Sequence, residues 1–285
     1  MKKIILLLFT AMAMSCTKAQ NTGDTFPVTV GDYTVDLLSE GQREGNTGIL
    51  IGATPEMIAK AIPDKTYPSA TNVFLVRMPG KNILFDTGLG RLLFSRLDSI
   101  GLNAGEIDAV FITHMHGDHT GGLLKDGQVM FPNAKLYIAQ LERDYWLNAN
   151  NQPAINVLNA YKDQLILFTP NELADVTNSL LPGIFPIAAY GHTPGHTVFL
   201  IQSGKDQLLI WGDLTHAMAI QMPYPQVAVS YDTHPEEAVR SREAVLKYVS
   251  ENRIPVGGMH IAFPGVGMVQ PADETGYVFM PITTK

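Results

Sequence analysis

The stretch FITHMHGDHTGG, residues 111–122, constrains this chain more than any other. Three of the eight histidines and an aspartate fall within six positions, His114-Met115-His116-Gly117-Asp118-His119, directly after the apolar run Ala109-Val110-Phe111-Ile112. The apolar run reads as a buried strand that delivers the polar cluster to its end. Side chains two apart on an extended chain point the same way, so His114 and His116 can share one ion. Asp118 and His119 lie past Gly117, where the chain can turn, and can face a second ion. Zinc favours imidazole nitrogen and carboxylate oxygen, so further ligands are to be sought at other strand ends.

Three segments offer them. His196 in GHTPGHT precedes an apolar strand at 197–202, Asp213 in LLIWGDLTH follows one ending at Trp211, and His260 ends VGGMH. A carboxylate such as Asp213 can bridge two cations. Short apolar strands are expected at 72–78 and 82–85 around the turn Pro79-Gly80-Lys81, at 108–112, 134–139, 165–168, 184–189, 197–202 and 207–211. Helical spacing marks 91–100, 141–148, 153–164 and 234–251, the last opened by Pro235. Strands lead each half and helices intervene, so the class is α/β or a layered α+β arrangement.

Composition narrows the function. With 46% hydrophobic and 16% charged residues in 285, the chain is globular. A net charge of −7 without basic runs argues against a nucleic-acid partner and for a small-molecule substrate. Residues 1–15 read as a signal peptide, with Met1-Lys2-Lys3 before an apolar stretch too short to span a bilayer. Ala13-Met14-Ser15-Cys16 resembles a bacterial lipobox, which would make Cys16 a lipid-anchored first residue of an exported, periplasmic or outer-membrane lipoprotein. The alternative is ordinary cleavage near Ala19 and a soluble periplasmic or secreted protein. A tether over 16–30 and one domain over 31–285 follow. Cys16 is the only cysteine, so the domain has neither a disulfide nor a thiolate metal ligand.

Taken in order, LFDTG (84–88), HMHGDH, GHTPGH, WGD and GMH resemble the motif set of the metallo-β-lactamase superfamily, over about residues 72–263. The resemblance implies an αββα sandwich with two zinc ions per chain along one edge of the sheets. It implies that His114, His116 and His196 bind one ion, that Asp118, His119 and His260 bind the other, and that Asp213 bridges. A hydroxide between the ions would be the nucleophile, with Asp118 and Asp213 the catalytic carboxylates. Asp86 is expected to hydrogen-bond a ligand histidine, and His192 and His216 to support or line the pocket. His234 reads as a helix-start residue, and Trp146, Tyr224 and Phe263 as weaker pocket candidates.

Departures from the pattern sort the branches. A cysteine ligand, as in class B1 β-lactamases, is absent. Asp213 separates the chain from class B3, and His116 from the flavodiiron proteins, which carry glutamate there. Too few residues follow His260 for the helical domain of glyoxalase II, and His216 stands where lactonases usually have tyrosine. GDLTHAMAIQ and GGMHIAFPGVG are most similar to the methyl parathion hydrolase branch. The expectation is a lactonase, arylesterase or phosphotriesterase. Alternatives are a β-lactamase or thioester hydrolase, an iron-dependent sulfur dioxygenase, or an inactive binding lipoprotein. That branch leaves a homodimer open. Substrate preference is expected in the loops at 43–70, 140–160 and 214–232.

Overall fold

The computed structural model describes residues 25–272 and 276–283, so the signal peptide and Cys16 lie outside the described residues. The first half runs β1 (Thr25–Val30), β2 (Tyr33–Asn46), β3 (Leu50–Ile51), α1 (Pro55–Ala61), β4 (Thr66–Met78), β5 (Lys81–Phe85), α2 (Leu93–Ser99) and β6 (Ala109–Phe111). It continues with α3 (Gly117–Thr120), β7 (Leu124–Lys125), β8 (Gln128–Val129), β9 (Lys135–Ala139), α4 (Gln140–Asn148), α5 (Gln152–Ala160) and β10 (Leu165–Phe168). The second half holds β11 (Ile184–Ala188), β12 (Thr197–Ser203), β13 (Asp206–Ile210), α6 (Met218–Gln221) and β14 (Ala228–Val229). It closes with α7 (Pro235–Asn252), β15 (Val256–Gly257), β16 (Val266–Pro271) and β17 (Tyr277–Pro281).

Two sheets result, in the orders β1-β2-β4-β5-β6-β9-β10 and β11-β12-β13-β15-β16-β17. Both faces of each sheet are covered, which is why β4 is buried without a break from Ser69 to Val76 and apolar on both faces from Val73 to Val76. Its alternate side chains serve different layers. Phe74 and Val76 point into the inter-sheet core with Phe85, Phe111, Phe199 and Ile210. Val73 and Leu75 point outward, where Leu93 and Leu97 of α2 and Val157 and Leu158 of α5 pack. On the far side Val245, Leu246 and Val249 of α7 cover Val198, Leu200 and Leu209. The layering is therefore the αββα sandwich expected.

Part of the expected tether is regular structure instead: Thr25–Val30 is the edge strand β1, paired along its length with β2, and residues 16–24 lie outside the described residues. Pro27 sits in that strand without breaking it because an edge has a side that needs no ladder donor. Strand β2 carries a bulge between Ser39 and Gly41. Beyond it the β2–β4 ribbon runs on to the pair Asn46–Thr66, with residues 42–44 exposed. A short ladder between β3 and β14 ties the following loop to the second half.

Candidate metal centre

Strand β6 ends at Phe111, and the loop that follows, leading into HMHGDH, is laid against the start of β12 by the main-chain bond from Thr197 N–H to Thr113 O at 3.0 Å. His114 Nε2 lies 2.9 Å from His116 Nδ1, and His192 Nε2 lies 3.0 Å from His116 Nδ1 and 3.2 Å from His114 Nε2. Asp213 Oδ2 is 3.6 Å from His114 Nε2 and 3.3 Å from His192 Nε2. The same oxygen is 3.2 Å from His260 Nε2 and 2.9 Å from His216 Nε2. On the other side, Asp118 Oδ1 is 3.7 Å from His119 Nε2, and Asp118 Oδ2 is 3.5 Å from His260 Nε2. Two clusters, His114–His116–His192–Asp213 and Asp118–His119–His260, thus meet at Asp213; His216 forms a third grouping with Asp213 and His260.

One position differs from expectation. His192, not His196, joins His114 and His116. The chain turns at Gly191, whose φ of +118° suits glycine and whose Cα faces the backbone of Ala238 too closely for a side chain. That turn aims His192 at the cluster. His196 is fully buried, with Nδ1 2.9 Å from the Ala189 carbonyl and Nε2 accepting the Asp213 N–H at 3.0 Å. Both of its ring nitrogens are committed to main chain, so it buttresses Asp213. Gly212, at φ +56°, lets that contact form, because a Cβ there would press on the His196 ring.

Carboxylates fix the rings from behind. Asp86 Oδ2 lies 2.7 Å from His119 Nδ1 while Thr113 donates its N–H and Oγ1–H to Asp86 at 2.8 Å each. Asp232 Oδ1 lies 2.9 Å from His192 Nδ1. Each interaction sets a proton on Nδ1, so that Nε2 is the nitrogen that gives up its proton to present a lone pair to the cluster. Asp232 is not singled out by sequence reading, nor are two buried glutamates. Glu142 accepts from Met115 N and Gly195 N, from Thr193 Oγ1 and from Trp146 Nε1, clasping the two histidine loops together. Glu40, beside the β2 bulge, accepts four amide N–H groups, from Leu89, Gly90, Leu92 and Leu93, and so holds the loop after Asp86. Trp146 therefore serves the clasp, Tyr224 packs in the small cluster beneath α1 and α6, and Phe263 packs edge-on against Phe26.

Charge is finely divided here. Burial lowers His116 to about 4 and His216 to about 4, and it holds His114 well below the ordinary histidine value. Burial also opposes a charge on His192, but Asp213 and Asp232 outweigh it and raise the group to about 9. His119 is likewise raised, against its burial, by Asp213 and Asp86. Burial works against ionisation of Asp213, yet the surrounding imidazoles hold it well below the carboxylate range.

The donor set fits a metal. His119 Nε2 and Asp213 Oδ1 are 3.1 Å apart but misaligned, and both are buried without a hydrogen-bond partner. Converging lone pairs of this kind are unfavourable unless a cation or protons lie between them. Imidazole and carboxylate without thiolate suit zinc. The cluster floors a cavity of about 510 Å³ whose lining includes Arg43, Tyr67, Asp118, His216 and Tyr231.

The family model for the metallo-beta-lactamase superfamily matches residues 66–253. Among solved structures, AidC, a dizinc quorum-quenching lactonase, is 25% identical with a TM-score of 0.83, covering 92% of this chain and 98% of that one. AbOPH, a hydrolase in the beta lactamase superfamily, is 24% identical at the same TM-score of 0.83, covering 93% and 100%, and speaks for the fold alone. Ribonuclease Z of Salinibacter ruber is 40% identical over 74 residues, which is 26% of this chain and 21% of that protein. Ribonuclease Z of Pyrococcus furiosus is 38% identical over 71 residues, again 21% of its length. The chain thus spans about a fifth of the curated relatives it matches.

Proposed function

The chain belongs to the metallo-beta-lactamase superfamily, and on that premise we propose that it is a dinuclear zinc hydrolase of lactones, esters or phosphotriesters, akin to the lactonase and methyl parathion hydrolase branch. The observation that carries the reading is the pair of ligand groups sharing Asp213 at the floor of an open cavity. In this reading His114, His116 and His192 would hold one zinc, Asp118, His119 and His260 would hold the other, and Asp213, which lies beside both groups, would be available to each. Bound zinc supplies Lewis acidity, polarising a carbonyl or phosphoryl oxygen and bringing water toward ionisation near neutral pH.

The chain's own groups supply the rest. Asp118 is 29% exposed, far more than Asp213 at 2%, so it is the cluster carboxylate that incoming water and substrate meet. Its ionisation is favoured by His119 and His260 over the cost of burial, and its Oδ atoms can take a proton from the attacking water. Asp213, wedged among five imidazoles, keeps the two ligand groups in register. His216 stacks on His260 with ring centroids 5.0 Å apart and lines the cavity, where it orients substrate. A cavity of about 510 Å³ is of a size that encloses a small molecule, and the net charge of −7 supports such a substrate over nucleic acid. The likeness to AidC supports the lactone arm in particular.

Metal analysis of the purified domain, beside turnover of a lactone, an aryl ester and methyl paraoxon, tests the reading. About two zinc per chain with turnover of at least one is the expected result. One iron per chain and no hydrolysis would replace it with an iron-dependent oxygenase. Export with a lipid on Cys16 belongs to the same proposal. Cys16→Ser is expected to move the protein from the membrane to the soluble fraction, and an unchanged distribution would refute the anchor.

A further inference from the structure

Arg43 stands in the cavity wall on the ribbon beyond the β2 bulge, exposed, and is the only lysine or arginine among the described residues lining that cavity. Its Nη1 donates to Thr71 Oγ1 at 3.2 Å. Its Nη2 lies 3.1 Å from His260 Nδ1, but that nitrogen is also 2.8 Å from the Ala70 carbonyl. A carbonyl only accepts, so His260 Nδ1 carries the proton and Nε2 is left free toward Asp118 and Asp213. An N–H facing Nη2 offers Arg43 no acceptor. The guanidinium therefore spends one of its five donors on Thr71, and no carboxylate among the described residues pairs with it.

A cation with unused donors, fixed on a strand and turned to a catalytic cavity, has the form of an anion receptor. Tyr67 lines the same wall and feels the charge of Arg43; burial keeps its phenol neutral, pushed up to about 12, so it too can donate. Glu44 lines the cavity as well and opposes a second negative charge, which favours a monoanion over a dianion.

We propose that Arg43, with Tyr67, forms an anion-recognition subsite that selects esters or lactones bearing one carboxylate away from the scissile bond. This rests on the hydrolase reading above and sharpens its substrate class. A guanidinium–carboxylate contact of this kind is worth about ten-fold or more in kcat/KM, seen chiefly in KM.

The experiment compares the zinc-loaded enzyme on mono-(4-nitrophenyl) glutarate and on neutral 4-nitrophenyl butyrate, in the wild type, Arg43→Met and Arg43→Lys. The readout is the ratio of kcat/KM for the anionic to the neutral ester, which cancels general damage within each variant. A wild-type ratio of about ten or more is expected, falling to near one in Arg43→Met and partly kept in Arg43→Lys. A wild-type ratio near one, or a ratio unmoved by Arg43→Met, overturns the subsite while leaving the hydrolase intact. If neither ester is turned over, the ester arm of the hydrolase reading fails instead. Calorimetric titration with glutaramate, which carries a single carboxylate, against glutaramide then decides the subsite: a glutaramate preference lost in Arg43→Met upholds it, and equal binding of the two by the wild type, or a preference unmoved in Arg43→Met, refutes it.

Discussion

The His114–His116–His192 group and the Asp118–His119–His260 group share Asp213 but are supported from different parts of the chain. The first unites the two halves of the sandwich. His114 and His116 follow β6, His192 comes from the loop before β12, Glu142 clasps those loops, and Asp232 backs His192. The second leans on the first half. Asp86 backs His119, Glu40 holds the loop after Asp86, and the Ala70 carbonyl fixes His260. The second also contains Asp118, the carboxylate of the pair most open to the cavity. The contrast separates a closed imidazole pocket that depends on docking of the two sheets from an open pocket that meets substrate.

Breaking what the two share has the largest expected effect. Asp213→Ala leaves neither group complete, so zinc content falls well below two per chain and turnover by about a thousand-fold; a fully active variant sinks the dinuclear reading. Next, His192→Ala and His196→Ala test which histidine belongs to the first group. His192→Ala is expected to lose about one zinc per chain. His196→Ala is expected to lower thermal stability, by about 2–3 kcal/mol for two buried main-chain partners, before it lowers metal content. The reverse pattern would return His196 to the ligand set.

Smaller changes sharpen the comparison. Asp86→Asn and Asp232→Asn should each weaken zinc about 10–100-fold, the first at the open group and the second at the closed one. Cobalt substitution followed by absorbance reads the two sites, and identical effects at both would deny the division. The gentlest probe is pH. In the metal-free protein His192 is held protonated up to about 9, with His119 also raised. An ion must displace those protons, so affinity rises with pH below that value, about ten-fold per unit for each proton released. Competition with a chromophoric chelator between pH 6 and 8 measures the slope, and a flat profile would show that neither histidine holds its proton.

The first half of the site was legible because its ligands are contiguous: a strand running into six residues leaves few ways to arrange them. The strands at 72–78, 82–85 and 165–168 were legible for a related reason, since apolar runs bounded by turns state their own period. The choice between His192 and His196 was not. Their spacing is the same whichever side the Gly191 turn faces, and only the packing of that turn on α7 decides it. Asp232, Glu142 and Glu40 hold site residues 27–53 positions away, so nothing local distinguishes them from solvated acids. Strand β1 reads as tether because Pro27 masks its alternation, and β17 gives little strand signal because its outward positions, Val278 and Met280, are apolar yet exposed.

The bulge between Ser39 and Gly41 divides one strand into two kinds of inheritance. Before it, Val35, Leu37 and Leu38 are sealed in the interior, where a change of one methylene disturbs the whole stack. After it, Arg43, Glu44 and Asn46 line the cavity while exposed, bearing little of the molecule's weight, above the buried Tyr67 and Ser69 of the paired strand. A lineage can therefore rewrite what the enzyme accepts along this one ribbon while the folded body and its metal floor are passed on unaltered.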